Sequence, residues 1–212
     1  MKKFLPLFCA LFLLACSSDA GRADYETGVK LLQGIGVEKN EAEGMRLIKR
    51  ASDAGNPQAE VTLGYLYLKG TGVPKDETLG FKLFVKAAKQ GNRDGQYNAG
   101  LCSVRGTGTA VDLAQAFSWF QKAALQDDAG SQYNLGVMYV NGEGVKADPI
   151  LGYAWFVQAQ NHDYSGAKAA LESVKRTLNA DQLNRLEDIV SDVARSVVRP
   201  ASVDPAAKDQ PL

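Results

Sequence analysis

The sequence predicts an all-α fold, a right-handed α-solenoid of four 36-residue helix-turn-helix repeats followed by C-terminal capping helices. Three observations predict it. Shifting the chain by 36 superimposes glycine on glycine: Gly28, Gly64, Gly100 and Gly136 form one column, Gly34, Gly70, Gly106 and Gly142 a second, and Gly36, Gly72, Gly108 and Gly144 a third. A fixed period of this length is the signature of stacked supersecondary units. Within each period apolar residues recur at helical spacing, in two runs separated by a Gly-x-Gly turn. The period then stops, and two further helical runs follow it, as a solenoid needs to cover its last apolar face.

The elements follow in order. Met1-Lys2-Lys3 precedes an apolar run from Phe4 to Ala15. Two lysines before about a dozen apolar residues make a secretory signal, too short for a permanent span of about 20 residues. The run ends Leu13-Leu14-Ala15-Cys16, which resembles the bacterial lipobox. That resemblance implies cleavage between Ala15 and Cys16, diacylglycerol on Cys16 and acylation of the new amino terminus. Residues 1–15 are then the signal peptide and 16–22 a lipidated linker. Ser17, rather than Asp, favours the outer membrane facing the periplasm under the sorting rule known for such lipoproteins. Several acyl chains anchor a protein durably where one alone binds marginally.

Four repeats occupy about 23–58, 59–94, 95–130 and 131–165. In the second, residues 59–69 (AEVTLGYLYLK) place Ala59, Leu63, Leu66 and Tyr67 at helical spacing. Gly70-Thr71-Gly72 stops that helix, because glycine takes the left-handed conformation that ends helices at no steric cost. Asp76 is placed to cap the next helix, 77–89, which sets Phe81, Phe84, Ala87 and Ala88 on one face. Asn40, Asp112 and Asp148 stand in the same column as Asp76. The mid-helix glycines at 28, 64, 100 and 136 each cost about 1 kcal/mol against alanine. Four such costs in register predict close helix–helix approach. Beyond the repeats, 166–178 and 180–198 read as two capping helices within 166–199, with Asn179 as the N-cap of the second. Pro200 closes that helix, and the composition of 200–212 predicts a disordered tail.

Ala59-x-x-x-Leu63-Gly64-x-x-Tyr67-x-x-Gly70-Thr71-Gly72-Val73-x-x-Asp76, followed by Ala87-Ala88-x-x-Gly91, resembles the Sel-one-like repeat, a relative of the tetratricopeptide repeat. Tyr97-Asn98-Ala99-Gly100 and Tyr133-Asn134-Leu135-Gly136-x-x-Tyr139 carry the resemblance into the third and fourth copies. Leu31, Leu47, Ser103 and Thr109 depart from the pattern at single packing positions.

Composition excludes several functions. Lys+Arg and Asp+Glu are 24 each, so bulk electrostatic binding of nucleic acid is disfavoured. Removing residues 1–15 takes away Lys2 and Lys3 and no acid, which leaves a net charge of −2. One His and three Cys exclude a His-rich or Cys-rich metal site. Cys9 leaves with the signal and Cys16 carries lipid, so Cys102 alone remains as a thiol and no intrachain disulfide is possible. It stands in a mainly apolar column and reads as a packed thiol. His162 reads as a surface residue, and Trp119 and Trp155 as core. The Gly-x-Gly motifs follow helices rather than strands and read as turns, not phosphate cradles. No carboxylate pair, metal spacing or nucleotide fingerprint is present, so the expectation is a protein that is not an enzyme and uses no cofactor or metal.

A solenoid offers a groove lined by its first helices. Positions seven apart share a helix face, which draws one line through Thr62 and Lys69, Asn98 and Arg105, and Asn134 and Asn141, with Gln96 and Gln132 nearby. The resemblance implies a partner that is another protein or peptide, either an envelope component or a toxin, with the membrane reached through the lipid anchor. The leading expectation is an envelope scaffold. The alternative is an immunity protein against a phospholipase-type toxin. A beta-lactamase-like enzyme is a weak third, because the cysteine pairs of that branch of the family are missing.

Overall fold

The computed structural model describes residues 21–198. The signal peptide, Cys16, most of the expected linker, Pro200 and the expected disordered tail lie outside the described residues. The chain forms two compact units. The first runs as far as Cys102 and adds Gly106–Ala110. The second holds Ser103–Arg105 and everything from Val111 onward.

In the first unit α1 (21–33), α2 (Glu41–Asp53), α3 (Pro57–Lys69) and α4 (Glu77–Lys89) make two helical pairs, and α5 (Arg93–Arg105), whose last three residues belong to the second unit, opens a third. Local chemistry sets these ends. The side chains of Asn40 and Asp76 accept from the backbone N–H groups of Glu43 and Leu79, as their shared column predicts. Asn56 and Asn92 do the same for Ala59 and Gly95 at the first-helix starts. Gly70 ends α3 at φ 70°, and its N–H donates to the Leu66 carbonyl at 2.8 Å. The core joins Ile48, Ala51, Ala59 and Leu63, with Tyr25, Val29 and Leu83 packed around them. Phe84 is wholly buried and lies against Gly64.

In the second unit α6 (Leu113–Ala124) is capped by Asp112, α7 (Ala129–Asn141) by Asp128 and α8 (Pro149–Asn161) by Asp148. The expected close approach is explicit at Gly136. A Cβ there would lie 2.5 Å from the Phe156 ring, so any side chain would force α7 and α8 apart. Ile150 and Phe156 meet Leu171, Val174, Leu178 and Leu186 of the capping segment.

That segment differs from the two helices expected. It forms α9 (Ala167–Lys175), α10 (Ala180–Asn184) and α11 (Leu186–Val198). Asn179 caps α10 through a reciprocal pair, its side chain accepting from Gln182 N–H and its own N–H donating to Gln182 Oε1. The expected second helix then breaks at Arg185. None of the five residues of α10 is buried, so no packing holds it in line with α11, whereas Leu186, Val193 and Val197 are all buried.

Candidate functional site: the polar face of the first helices

The candidate face begins with residues one helical position away from the core. In the first unit Thr62 is half-buried and Lys69 exposed on α3. Asn98 of α5 is buried. Its Nδ2 donates to the Asp94 carbonyl at 2.7 Å, and its Oδ1 accepts from the Tyr65 hydroxyl at 2.7 Å. In the second unit Arg105 and Asn141 are exposed and Asn134 is half-buried. Asn134 Nδ2 donates to the Gly130 carbonyl at 2.7 Å, and Asn141 Nδ2 to Glu143 Oε1 at 3.0 Å. Both aligned asparagines thus tie an amide donor to their own helix.

Gln96 and Gln132 are not groove residues. Both are buried, and their amides point inward. Gln96 Nε2 donates to the Ala88 carbonyl at 3.3 Å. Gln132 Nε2 donates to the Ala124 carbonyl at 3.4 Å and to Asp127 Oδ1 at 3.1 Å. Each satisfies a carbonyl at the end of the preceding second helix, the groups that a helix terminus leaves open.

Their column explains why they are polar. Stepping back by 36 gives Glu60 and Asp24. Glu60 is wholly buried, with Oε1 2.8 Å from Lys86 Nζ and Oε2 accepting from Gln90 Nε2 at 2.7 Å. Asp24 accepts two bonds from the Arg50 guanidinium. That hydrogen bonding, more than Coulomb attraction alone, holds its carboxyl below the ordinary carboxylate range. One register position therefore anchors the framework in all four repeats, by ion pair in two and by amide in two.

Tyr65 was not singled out by the sequence. It is a large aromatic residue left 41% exposed. Its ring meets Phe84 edge to face at 5.1 Å, and its hydroxyl is held by Asn98. Its column (Val29, Leu101, Val137) is otherwise aliphatic, so the pattern reads as core. The hydroxyl bond, which spans two repeats, is the signal that periodicity cannot show.

The tempting reactive groups are placed as follows. Cys102 is buried. His162 is exposed, with Nε2 2.7 Å from the equally exposed Asp127, so no buried acid orients it. Trp155 is buried as expected, while Trp119 is half-buried with Lys122 Nζ 4.6 Å above its ring. Among the described residues no three His, Cys, Asp or Glu side chains come together to hold a metal. No described helix is long and apolar enough to cross a membrane.

The family described as Sel1 repeat matches residues 21–56, 57–92, 93–128 and 129–161, about two thirds of the chain. The chain belongs to the Sel1 repeat family. The matched frame has the period read from the glycine columns and opens two residues earlier. A crystal structure of a Sel1 repeat protein from Oxalobacter formigenes is similar, with TM-score 0.69 and 26% identity over 84% of this chain and 75% of that one. A protective antigen present in uropathogenic Escherichia coli strains, displaying an SLR fold, is similar at TM-score 0.56 and 24% identity. That match covers 91% of this chain but about half (49%) of the antigen, and it bears on the fold alone. Among curated protein sequences none is significantly similar to this chain. Sel1 repeats generally form scaffolds for protein–protein interaction and are typically non-enzymatic.

Proposed function

We propose that this Sel1 repeat protein is an envelope scaffold, lipidated at Cys16, anchored in the outer membrane facing the periplasm, and binding another protein through its first helices. The observation that carries the binding reading is Tyr65. An exposed aromatic ring, fixed by Phe84 on one side and by Asn98 at its hydroxyl, presents a large contact area already immobilised before a partner arrives. Pre-set Tyr side chains lose little entropy on binding and are enriched at interface hot spots. Lys69, exposed one turn further along α3, and Thr62 extend the same face.

The test is a pull-down. The mature chain, tagged at its carboxyl end, is incubated with gently solubilised envelope and with secreted material, and the retained proteins are identified by mass spectrometry. Retention of envelope-assembly components supports the scaffold. Tyr65→Ala is expected to weaken that retention by about tenfold or more, as loss of a hot-spot aromatic does. Undiminished retention by Tyr65→Ala dismisses this face. Stoichiometric capture of one secreted toxin replaces the scaffold by an immunity protein.

A further inference from the structure

The outward faces of the second helices differ sharply between the two units. In the first unit they carry Arg46, Lys49 and Arg50 on α2 and Lys82, Lys86 and Lys89 on α4. All six are exposed and stand on the side of their helices opposite the buried residues. The same columns on α6 of the second unit hold Ser118, Gln121 and Lys122, all exposed, whereas on α8 Ala154 and Gln158 in these columns are buried. On α6 the exposed face is kept with one base in these three columns, so the bases of the first unit are not a requirement of the repeat. Within the described residues the first unit has twelve basic and ten acidic side chains, and the second has eight and eleven.

Three of the six bases are occupied. Arg46 is paired with Glu43, Arg50 with Asp24 and Lys86 with Glu60. Lys49, Lys82 and Lys89 have no ion pair among the described residues, and Asp53 is the acid left among them. Between the lysines of α4, the half-buried Phe81 and Val85 line a shallow depression of about 300 Å³. Lysine stems over an apolar floor, with their ammonium groups outward, suit a surface that is anionic on top and apolar beneath.

The amino-terminal tether places that face. Gly21, at the start of α1, packs against Ala51 and Ala54 at the carboxyl end of α2. Lys86 Nζ donates to the Ser52 carbonyl at that same end, at 3.2 Å. Four residues lie between Cys16 and Gly21, and the five Cα–Cα steps reach at most about 18 Å. We infer that the basic outward face of α2 and α4 docks on the anionic phospholipid surface in which Cys16 is anchored. The inference rests on the anchored reading above for its tether. It adds an orientation: the first unit lies on the bilayer through its second helices, which leaves Tyr65 on a first helix for a partner.

The test uses the intact protein purified from membranes and reconstituted into vesicles. Asp53→Cys carries an environment-sensitive dye, and Ser118→Cys, in the corresponding face of the second unit, carries it in a control. Vesicles contain either phosphatidylcholine alone or phosphatidylcholine with phosphatidylglycerol, plus a headgroup-level quencher. Dye at position 53 is expected to be quenched on the anionic vesicles at low salt and released by about 1 M salt, where the Debye length falls to about 3 Å. Lys49→Gln, Lys82→Gln and Lys89→Gln together are expected to shift the docked-to-undocked ratio by about a hundredfold, each base near an anionic surface contributing about a factor of five. Circular dichroism of that variant confirms that its helices are intact. Equal quenching on both vesicle types, or quenching unmoved by salt and by the triple variant, overturns the inference and leaves the patch to an acidic protein. The anchor is read separately, from the acyl mass on the amino-terminal peptide. If that mass is absent the anchored reading fails. The patch is then scored by co-sedimentation of the same protein with the two vesicle types, where equal sedimentation overturns it.

Discussion

Replacing Lys86 with alanine isolates the only described ion pair with a wholly buried acid. Glu60 has no exposed surface, whereas the Lys86 side chain is 52% exposed. Glu60 Oε2 keeps Gln90 after the substitution, but Oε1 faces Lys86 across a charge contact of 2.8 Å and has no other polar neighbour to take its place. Stranding one member of a fully buried pair costs about 3–5 kcal/mol. The lysine approaches from solvent, so water can follow where it leaves, which lowers the expected cost to about 2–3 kcal/mol. The remedy is written in the other repeats. Gln96 and Gln132 occupy the Glu60 column and donate to Ala88 and Ala124, the counterparts of Ser52. Ser52 is the carbonyl that Lys86 takes. Glu60→Gln combined with Lys86→Ala is therefore expected to come within about 1 kcal/mol of the native protein, one neutral hydrogen bond standing in for the ion pair. Urea unfolding followed by far-UV circular dichroism reads both. Tryptophan fluorescence is a poor substitute, because Trp119 and Trp155 both lie in the second unit. With an m-value of about 1–3 kcal/mol/M, the single variant shifts the midpoint by about 1 M. An unmoved midpoint, or a double variant less stable than the single one, would refute the reasoning.

Two further outcomes follow from the same structure. Gly136→Ala gains about 1 kcal/mol of helix propensity but drives a methyl to 2.5 Å from the Phe156 ring, so a net loss of about 2 kcal/mol is expected in thermal unfolding. A stabilised variant would contradict the close α7–α8 approach. The carboxyl of Asp24 is depressed in the fold, chiefly by its hydrogen bonds from Arg50. Its contribution is therefore present above the ordinary carboxylate range and is lost as pH falls through the lower folded value. Native protein is expected to lose stability across that acid window more steeply than Asp24→Asn, and parallel acid titrations of the urea midpoint would show otherwise if the pair is inert.

The repeat frame was legible because turns and close approaches demand particular residues. Gly70 at φ 70° and Gly136 beside Phe156 admit glycine and little else, so periodic geometry becomes periodic sequence. The caps at Asn40, Asp76, Asp112 and Asp148 were legible for the same reason. Polar burial was not. Gln96 stands two residues before the groove candidate Asn98, and it is the Ala88 carbonyl met by its amide that tells inward from outward. A column that stays polar through Asp24, Glu60, Gln96 and Gln132 was nonetheless a usable signal, since an exposed column such as Arg46, Lys82, Ser118 drifts between charged and neutral residues. Tyr65 escaped notice for the opposite reason, an exposed residue in an aliphatic column. The break at Arg185 has no marker in its own residues. It follows from α10 having nothing to pack against.

These placements imply a division of labour within one repeat. The carbonyls and acids that the fold must satisfy are met between neighbouring helices, by the Asp24–Arg50 and Glu60–Lys86 pairs in the first unit and by the Gln132 bonds in the second. Arg50 and Lys86 reach those acids from the outer columns, and the other outer positions, Lys49, Lys82 and Lys89 among them, are free of that duty. Exposed positions away from such features change stability by about half a kcal/mol or less. The first-helix face can then vary toward a partner, as at Tyr65, and the second-helix face toward a charged surface, as at Lys82 and Lys89, without disturbing the frame. The contrast between Lys82 and Ser118, or Lys89 and Leu125, in helices of the same geometry is what such freedom looks like in a single chain. Where an outward base also closes such a pair, as Arg50 and Lys86 do, the two roles are not separable, and a change of surface there is also a change of stability.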